Sequence, residues 1–374
     1  MSKRNAAWEG RVDRGPVLVG SGRVTGPEDV AAATGRTVKV YVPQDAAYNL
    51  LTTINAPTEI LSLTVGLHYA TNDLIIAGTG DQILTWSGRQ GAIVPFGQTP
   101  PEPQARFVSL ATGDLEISGG RNIITAAAGK QALYVYQAAK AGLDLVDIRL
   151  IPGTPEKVAV VERPPGTRPL VAVAVQAWSR WSILTLTLTE RGFEPGPALA
   201  TLPAALTTLV AGDFTAAAGK ELAWGGNDGH VSIVEAGETL KTVLATVNLG
   251  SSVSALAAGK WSGGSALAAG TPEGYIFIYS TPVTSARPQQ VRYAGAGVHS
   301  LAFTPGGRLI AGTVDGLVQA FTGTSFVSHR VRPGDTLWLL AREYNTTVTA
   351  IAGANGLNVS GAIYPGQILK ILKE

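Results

Sequence analysis

A unit of about 47 residues recurs through the first 325 residues of the 374-residue chain, and a period of that length narrows the fold more than any other feature. Each copy is an alternating strand, a loop, a strand ending in small residues, a tight turn with Gly or Asp, and another alternating strand. Clear copies are EILSLTVGLHYATNDLIIAGTGDQILTWS from Glu59, VSLATGDLEISGGRNIITAAAGKQALYVYQ from Val108 and LVAGDFTAAAGKELAWGGNDGHVSIVE from Leu209. Two more are VSALAAGKWSGGSALAAGTPEGYIFIYS from Val253 and VHSLAFTPGGRLIAGTVDGLVQAFTG from Val298, and weaker ones begin at Pro16 and Lys157. The apolar residue opening the last strand of each copy is Val38, Ile83, Leu133, Ile183, Val231, Ile276 and Leu317, so successive copies lie 41 to 50 residues apart.

Within each unit the period is that of strands. Stretches such as Gln82-Ile83-Leu84-Thr85-Trp86 and Tyr275-Ile276-Phe277-Ile278-Tyr279 are dominated by β-branched and aromatic residues. Turns such as Asn227-Asp228-Gly229 and Val314-Asp315-Gly316 supply the left-handed residues that tight hairpins need. A further strand lies between units, for example over residues 48–54 and 242–247. Four strands per unit at this period predict a seven-bladed β-propeller of four-stranded blades. The seventh copy has only three good strands, ending near Phe321, while residues 5–12 belong to no copy. Those residues are expected to form the outer strand of the last blade, because a closed ring removes an edge that invites aggregation.

Composition bears mainly on what the chain is not. It is 45% hydrophobic and 15% charged, with 29 basic and 27 acidic residues, which excludes disorder and the basic surface of a nucleic-acid binder. There is no cysteine, hence no disulfide, thiolate nucleophile or sulfur-ligated metal. His68, His230, His299 and His329 lie far apart, and no Gly-x-Ser-x-Gly or His-Glu-x-x-His run occurs. The expectation is therefore no catalytic residue, no metal and no cofactor. The start, MSKRNAAWEGRVDRG, leads into no apolar run of export-signal length. The longest uncharged apolar stretch of the repeat region, residues 195–212, is broken by Pro195, Pro197 and Pro203, so no membrane insertion is expected.

The last copy resembles WD repeats, and GDFTAAAGKELAWGGNDGHVSIV resembles FG-GAP or VCBS propeller repeats. FG-GAP propellers often hold calcium in an Asp-x-Asp-x-Asp-Gly loop. The corresponding loops here are Asp213-Phe214-Thr215-Ala216, Asp114-Leu115-Glu116-Ile117 and Lys260-Trp261-Ser262-Gly263. One or two carboxylates fall short of the six to eight oxygens calcium takes, so no calcium is expected there. Asp81, Lys130, Arg180, Asp228, Glu273 and Asp315 should gather on one face as a solvated rim of alternating sign, and Trp178 and Trp181 read as filling between blades.

After a joint over residues 323–328 the text changes. HRVRPGDTLWLLAREYNTTVTAIAGANGLNVSGAIYPGQILKIL, from His329, resembles a LysM domain over its full length. The matching elements are Val331-Arg332-Pro333-Gly334-Asp335-Thr336-Leu337-Trp338, Ala341, Tyr344, Asn355-Gly356-Leu357 and residues 363–369. The residues themselves predict a βααβ order. A strand covers residues 330–332, and Asp335 or Thr336 caps a helix burying Leu337, Leu340, Ala341 and Tyr344. Asn345 ends that helix, Thr346 or Thr347 caps a second with Val348 and Ile351 inward, and residues 368–372 form the closing strand. Trp338 reads as core. The division falls into residues 1–327, the propeller, and 328–374, the LysM domain.

The LysM resemblance implies binding to N-acetylglucosamine polymers such as peptidoglycan or chitin. Carried over by position, the glycan groove involves Gly334, Asp335, Thr336 and Leu337 on one side and Asn358 and Ile363 on the other. The function expected is a non-catalytic cell-wall, cell-surface or spore-envelope protein, anchored by the LysM domain, with the propeller as a platform for a protein partner. The region from His329 has 5 basic and 3 acidic residues, leaving 24 of each for a neutral ring. Two alternatives are a cell-wall-modifying enzyme with a catalytic propeller, and a structural subunit of a spore coat or phage-like assembly. The second draws on the lack of a recognisable signal, which fits cytoplasmic synthesis and non-classical delivery.

Overall fold

The computed structural model describes residues 6–45, 47–69, 72–115, 121–139, 142–164, 167–199, 201–215, 219–236, 240–283, 287–323, 325–344, 348, 351–352, 355, 357 and 361–373. The chain divides into two compact units, Met1–Phe321 and Thr322–Glu374.

The first unit is a propeller of seven antiparallel four-stranded blades. Blade one runs Leu18–Gly22, Asp29–Thr34, Thr37–Gln44 and Ala47–Asn55 from the axis outward. Blades two to six repeat that order from Ser62, Phe107, Thr154, Leu206 and Ala255. Blade seven has Val298–Phe303, Arg308–Thr313 and Leu317–Thr322, and its outer strand is Trp8–Arg11 from the start of the chain. The closing register pairs Trp8 with Ala320, Glu9 with Gln319, Gly10 with Val318 and Arg11 with Leu317.

The ring has no single core. Seven apolar clusters lie one between each pair of neighbouring blades, so each blade buries both faces. That explains the sequence of the second and third strands. Asp29–Thr34, DVAAAT, is buried at every residue, and small side chains let the sheets approach. The seven apolar residues that set the repeat open the third strands and are all 4% exposed or less. At the seam between blades seven and one the backbones approach closely. A Cβ on Gly312 would stand 2.2 Å from the Val17 carbonyl oxygen, and one on Gly316 1.7 Å from that of Asp13.

Buried carboxylates organise the loops between first and second strands. Asp29, 1% exposed, accepts from the Thr25 N–H at 2.5 Å, the Thr25 hydroxyl at 2.9 Å and the Gly26 N–H at 2.9 Å. Glu221, 2% exposed, accepts from the N–H groups of Phe214 and Thr215 at 2.6 and 3.2 Å and from the Thr215 hydroxyl at 2.6 Å. In the blade-five loop compared above with calcium sites, amide donors thus occupy the inner carboxylate. Residues 116–120 and 216–218 of such loops lie outside the described set.

Two tryptophan readings need correction. Trp178 is 98% exposed at the hairpin tip of blade four, because a left-handed backbone (φ 57°) carries its side chain away from the sheet. Trp181 is partly buried and does pack on the cluster between blades four and five. In the second unit Trp338 is 61% exposed rather than core, since the helix turns Leu337, Leu340 and Ala341 inward.

The second unit has a two-stranded sheet, Ser325–Arg330 with Ile368–Lys373, and a helix, Leu337–Glu343. Its first strand starts before the 327/328 division and ends at Arg330, where residues 330–332 were expected. Of the second expected helix, Val348, Ile351 and Ala352 are helical, while Asn345, Thr346 and Thr347 lie outside the described residues. No helix among the described residues is long and apolar enough to cross a membrane.

Closure of the ring can be tested at Trp8, whose ring lies 5.1 Å from that of Tyr41 and 5.2 Å from that of Tyr48 in blade one. Trp8→Ala is expected to destabilise the ring by about 2–3 kcal/mol in thermal melts, whereas Trp178→Ala should stay within about 0.5 kcal/mol of the parent.

Candidate functional site

Two Pro-Gly turns build the candidate site in the second unit. In Arg332-Pro333-Gly334-Asp335 the Asp335 N–H donates to the Arg332 carbonyl at 3.1 Å, and Gly334 takes φ 93°. In Tyr364-Pro365-Gly366-Gln367 the Gln367 N–H donates to the Tyr364 carbonyl at 3.1 Å, and Gly366 takes φ 91°. Pro at the second and Gly at the third position are what a type II turn demands. Val331 joins the two turns: its N–H donates to the Gln367 carbonyl and its carbonyl accepts from the Gly366 N–H, both at 2.8 Å.

The helix begins directly after the first turn. Its cap is Thr336, whose hydroxyl accepts from the Leu339 N–H at 3.1 Å. Asp335 has another task. Its Oδ2 accepts from the Arg332 N–H at 2.7 Å and from His329 Nε2, also at 2.7 Å. A carboxylate only accepts, so the imidazole proton sits on Nε2, and Nδ1 accepts from the Tyr344 hydroxyl at 2.9 Å. The Arg332 N–H, and after it His329, hold the Asp335 carboxyl below the usual carboxylate range. His329 is 6% exposed, so this chain of bonds fixes the first turn to both the strand and the helix from inside.

The expected glycan residues separate into distinct roles. Gly334 and Thr336 are exposed on the first turn, and Asp335 is half-buried and tethered beneath it. Leu337 is 6% exposed and belongs to the core with Leu340, Ile351 and Leu369, so only its backbone faces the turn. Ile363 is partly buried against that same cluster, which brings it to the same side of the unit as Leu337. Asn358 lies outside the described residues. Sequence reasoning missed His329 and Tyr344 as the support of the first turn. It also missed the exposed Tyr364 at 67%, and the Arg342 guanidinium 5.9 Å from the ring of exposed Trp338.

At the propeller's turns between second and third strands several of the expected charged residues are bonded locally. Asp81 and Asp315 accept from Thr79 and Thr313 of their own turns at 3.2 and 2.5 Å, and Lys130 pairs with Glu102 at 3.1 Å. Glu273 accepts from Ser251 at 2.5 Å, which is the main reason its carboxyl lies below the usual range. Asp228 accepts from His230 Nδ1 at 2.8 Å, leaving Nε2 to accept from Asn248 Nδ2 at 3.3 Å. Both ring nitrogens of that histidine are therefore engaged in holding the connection to blade six. No three His, Asp or Glu side chains among the described residues could hold a metal ion.

Residues 329–372 match the LysM domain family, and they form the LysM domain of this chain. The chain is thus a β-propeller joined to a LysM domain. No curated protein matches it in sequence. Among solved structures, that of Saccharomyces cerevisiae Sqt1, a WD40 propeller protein, is similar at a TM-score of 0.57 and 14% sequence identity. The match covers 90% of this chain and 94% of that one, and at such identity it establishes the fold alone.

Asp335→Asn tests the tether. Because the folded carboxyl is held low, its stabilisation is complete above the unfolded value of about 3.9 and is lost as pH falls through the folded value. The protection factor of the Arg332 amide in the full chain, its exchange relative to the intrinsic rate at each pH, should fall as the parent is acidified below about pH 4, and Asp335→Asn should show the lowered protection already at neutral pH.

Proposed function

We propose that the LysM domain holds this protein to a polymer containing N-acetylglucosamine, peptidoglycan or chitin-like, and that the propeller presents a non-catalytic platform to a protein partner at a cell wall, surface or spore envelope. The LysM match over residues 329–372 carries this reading. The two turns described above add a physical rationale. An acetamido group needs amide donors and acceptors for its own peptide-like bond, and an apolar floor for its methyl. The exposed backbone around Gly334 and the hydroxyl of Thr336 supply polar groups, and Ile363 over the core supplies an apolar one. Asn358 joins them by position in the family pattern. Such a groove is shallow, so one domain binds weakly and gains from repetition of sites.

Retention on insoluble peptidoglycan and chitin tests the reading. The full chain should sediment with one of these polymers, and a chain ending at Phe321, which keeps the whole ring, should stay in solution. Gly334→Val, placed at φ 93°, should reduce retention by about fivefold or more, because an L side chain strains that backbone. Equal retention of the full and shortened chains sinks the anchoring role. Release of reducing sugar ends from the polymer by the full chain sinks the non-catalytic one.

A further inference from the structure

A ring of blades closes on itself but leaves seven outer strands along its rim. Most are protected. Those of blades six and seven have four residues each, and those of blades two and four contain Pro95, and Pro195 with Pro197. In blade one's outer strand Leu50 is the one strongly exposed large apolar residue. In blade five's, the side chains of residues 241–246 lie outside the described set. Blade three differs. Its outer strand, Gly142–Leu150, runs for nine residues without proline and exposes Leu145, Ile148 and Leu150 at 52, 45 and 75%.

These three residues lie on one face despite their uneven spacing. Leu145 pairs with Tyr136, Ile148 with Tyr134 and Leu150 with Ala132, and a bulge at Val146 absorbs the odd residue. Leu143, opposite Ala138, shares that face. Asp144, Val146, Asp147 and Arg149 take the other. The order of faces is therefore the same read from either end of residues 143–150. Chemistry follows the same symmetry. Laid antiparallel on a second copy with Val146 opposite Asp147, the strand sets Leu143 against Leu150, Leu145 against Ile148 and Asp144 against Arg149, every pair on a common face. Asp144 and Arg149 are both exposed. The Ile148 N–H, pointing away from its own sheet, donates to Asp147 Oδ1 at 2.8 Å, a local acceptor standing where a pairing strand would present a carbonyl.

We infer that the outer strand of blade three is a homodimer interface, in which two copies join their blades into one eight-stranded sheet about a twofold axis between Val146 and Asp147. The occupant is a second copy because the strand complements itself. A different protein would have no cause to be matched by a palindromic order of faces with Asp144 and Arg149 at its mirrored positions. The apolar stripe supplies the attraction, the Ile148 N–H exchanges Asp147 for a carbonyl of the second strand, and the two symmetry-related Asp144–Arg149 pairs fix the register.

Sedimentation equilibrium of the full chain, without glycan, from about 1 to 100 μM tests this. The parent should show a monomer–dimer equilibrium. Asp144→Arg and Arg149→Asp each place like charges opposite one another twice, and each should weaken dimerisation about tenfold. The double variant should regain it, and so should an equimolar mixture of the two single variants, where opposite charges face again. Both positions are exposed, so circular dichroism melts should match the parent. A parent that stays monomeric throughout overturns the interface. So does a dimer indifferent to Arg149→Asp, or a mixture of single variants that remains monomeric.

Discussion

The whole propeller depends on one pairing, that of residues 8–11 with residues 317–320. Each blade is stabilised on both faces by its neighbours, so a ring open at one point loses an entire inter-blade core, not one strand. The cluster at stake holds Val12, Val17 and Val30 beside Ile310 and Val318, residues from opposite ends of the unit. Joining ends some 300 residues apart costs only about 3–4 kcal/mol more than closing a tight hairpin, since the entropy grows with the logarithm of length. Four residue pairs of one strand ladder and the packing of Trp8 on Tyr41 and Tyr48 are enough to offset that. Further contacts fasten the seam, among them the Val17 N–H to the Thr313 carbonyl at 3.1 Å and the Ser300 hydroxyl to the Val17 carbonyl at 2.7 Å.

The repeat was legible because burial on two faces leaves little freedom. A third strand packed between neighbours must open on an apolar residue, and Val38, Ile83 and Leu317 do so in every copy at nearly fixed distance. The closing strand was legible by counting what was left over. Other features depend on atoms that spacing does not encode. Asp29 and Glu221 look in sequence like ordinary turn residues, and only the inward path of the preceding loop makes them buried acceptors. Trp178 carries no sign of the left-handed backbone that exposes it. At the LysM turn the Pro-Gly-Asp-Thr run identified the place, yet Asp335 and Thr336 divide labour in a way the motif alone leaves open. His329 stood alone in the sequence, and Tyr344, its partner through a hydrogen bond, is fifteen residues away.

Rigidity and display are separated in this chain. The ring packs most of its apolar residues between blades, and several of its turn carboxylates are bonded locally. In the LysM unit, by contrast, a buried histidine and a half-buried aspartate stiffen a turn whose outer surface is backbone and hydroxyl. A ligand rich in amide and hydroxyl groups is well served by that arrangement, since the turn keeps its shape when unoccupied and loses little freedom on binding.

On the proposed reading, a single LysM domain binds its polymer weakly. Closing the ring spends the first strand of the chain on blade seven and leaves the rim as the place where a propeller can still grow. Short strands and prolines withdraw most of that rim from pairing, and the blade-three strand keeps both length and apolar surface. A twofold contact there would give every assembly two LysM domains. Bivalency multiplies retention on a polymer without any new contact to sugar, provided both domains reach the same chain or neighbouring ones. On the proposed reading, the exposed leucines of the rim would contribute to anchoring by number, and the LysM turn by chemistry.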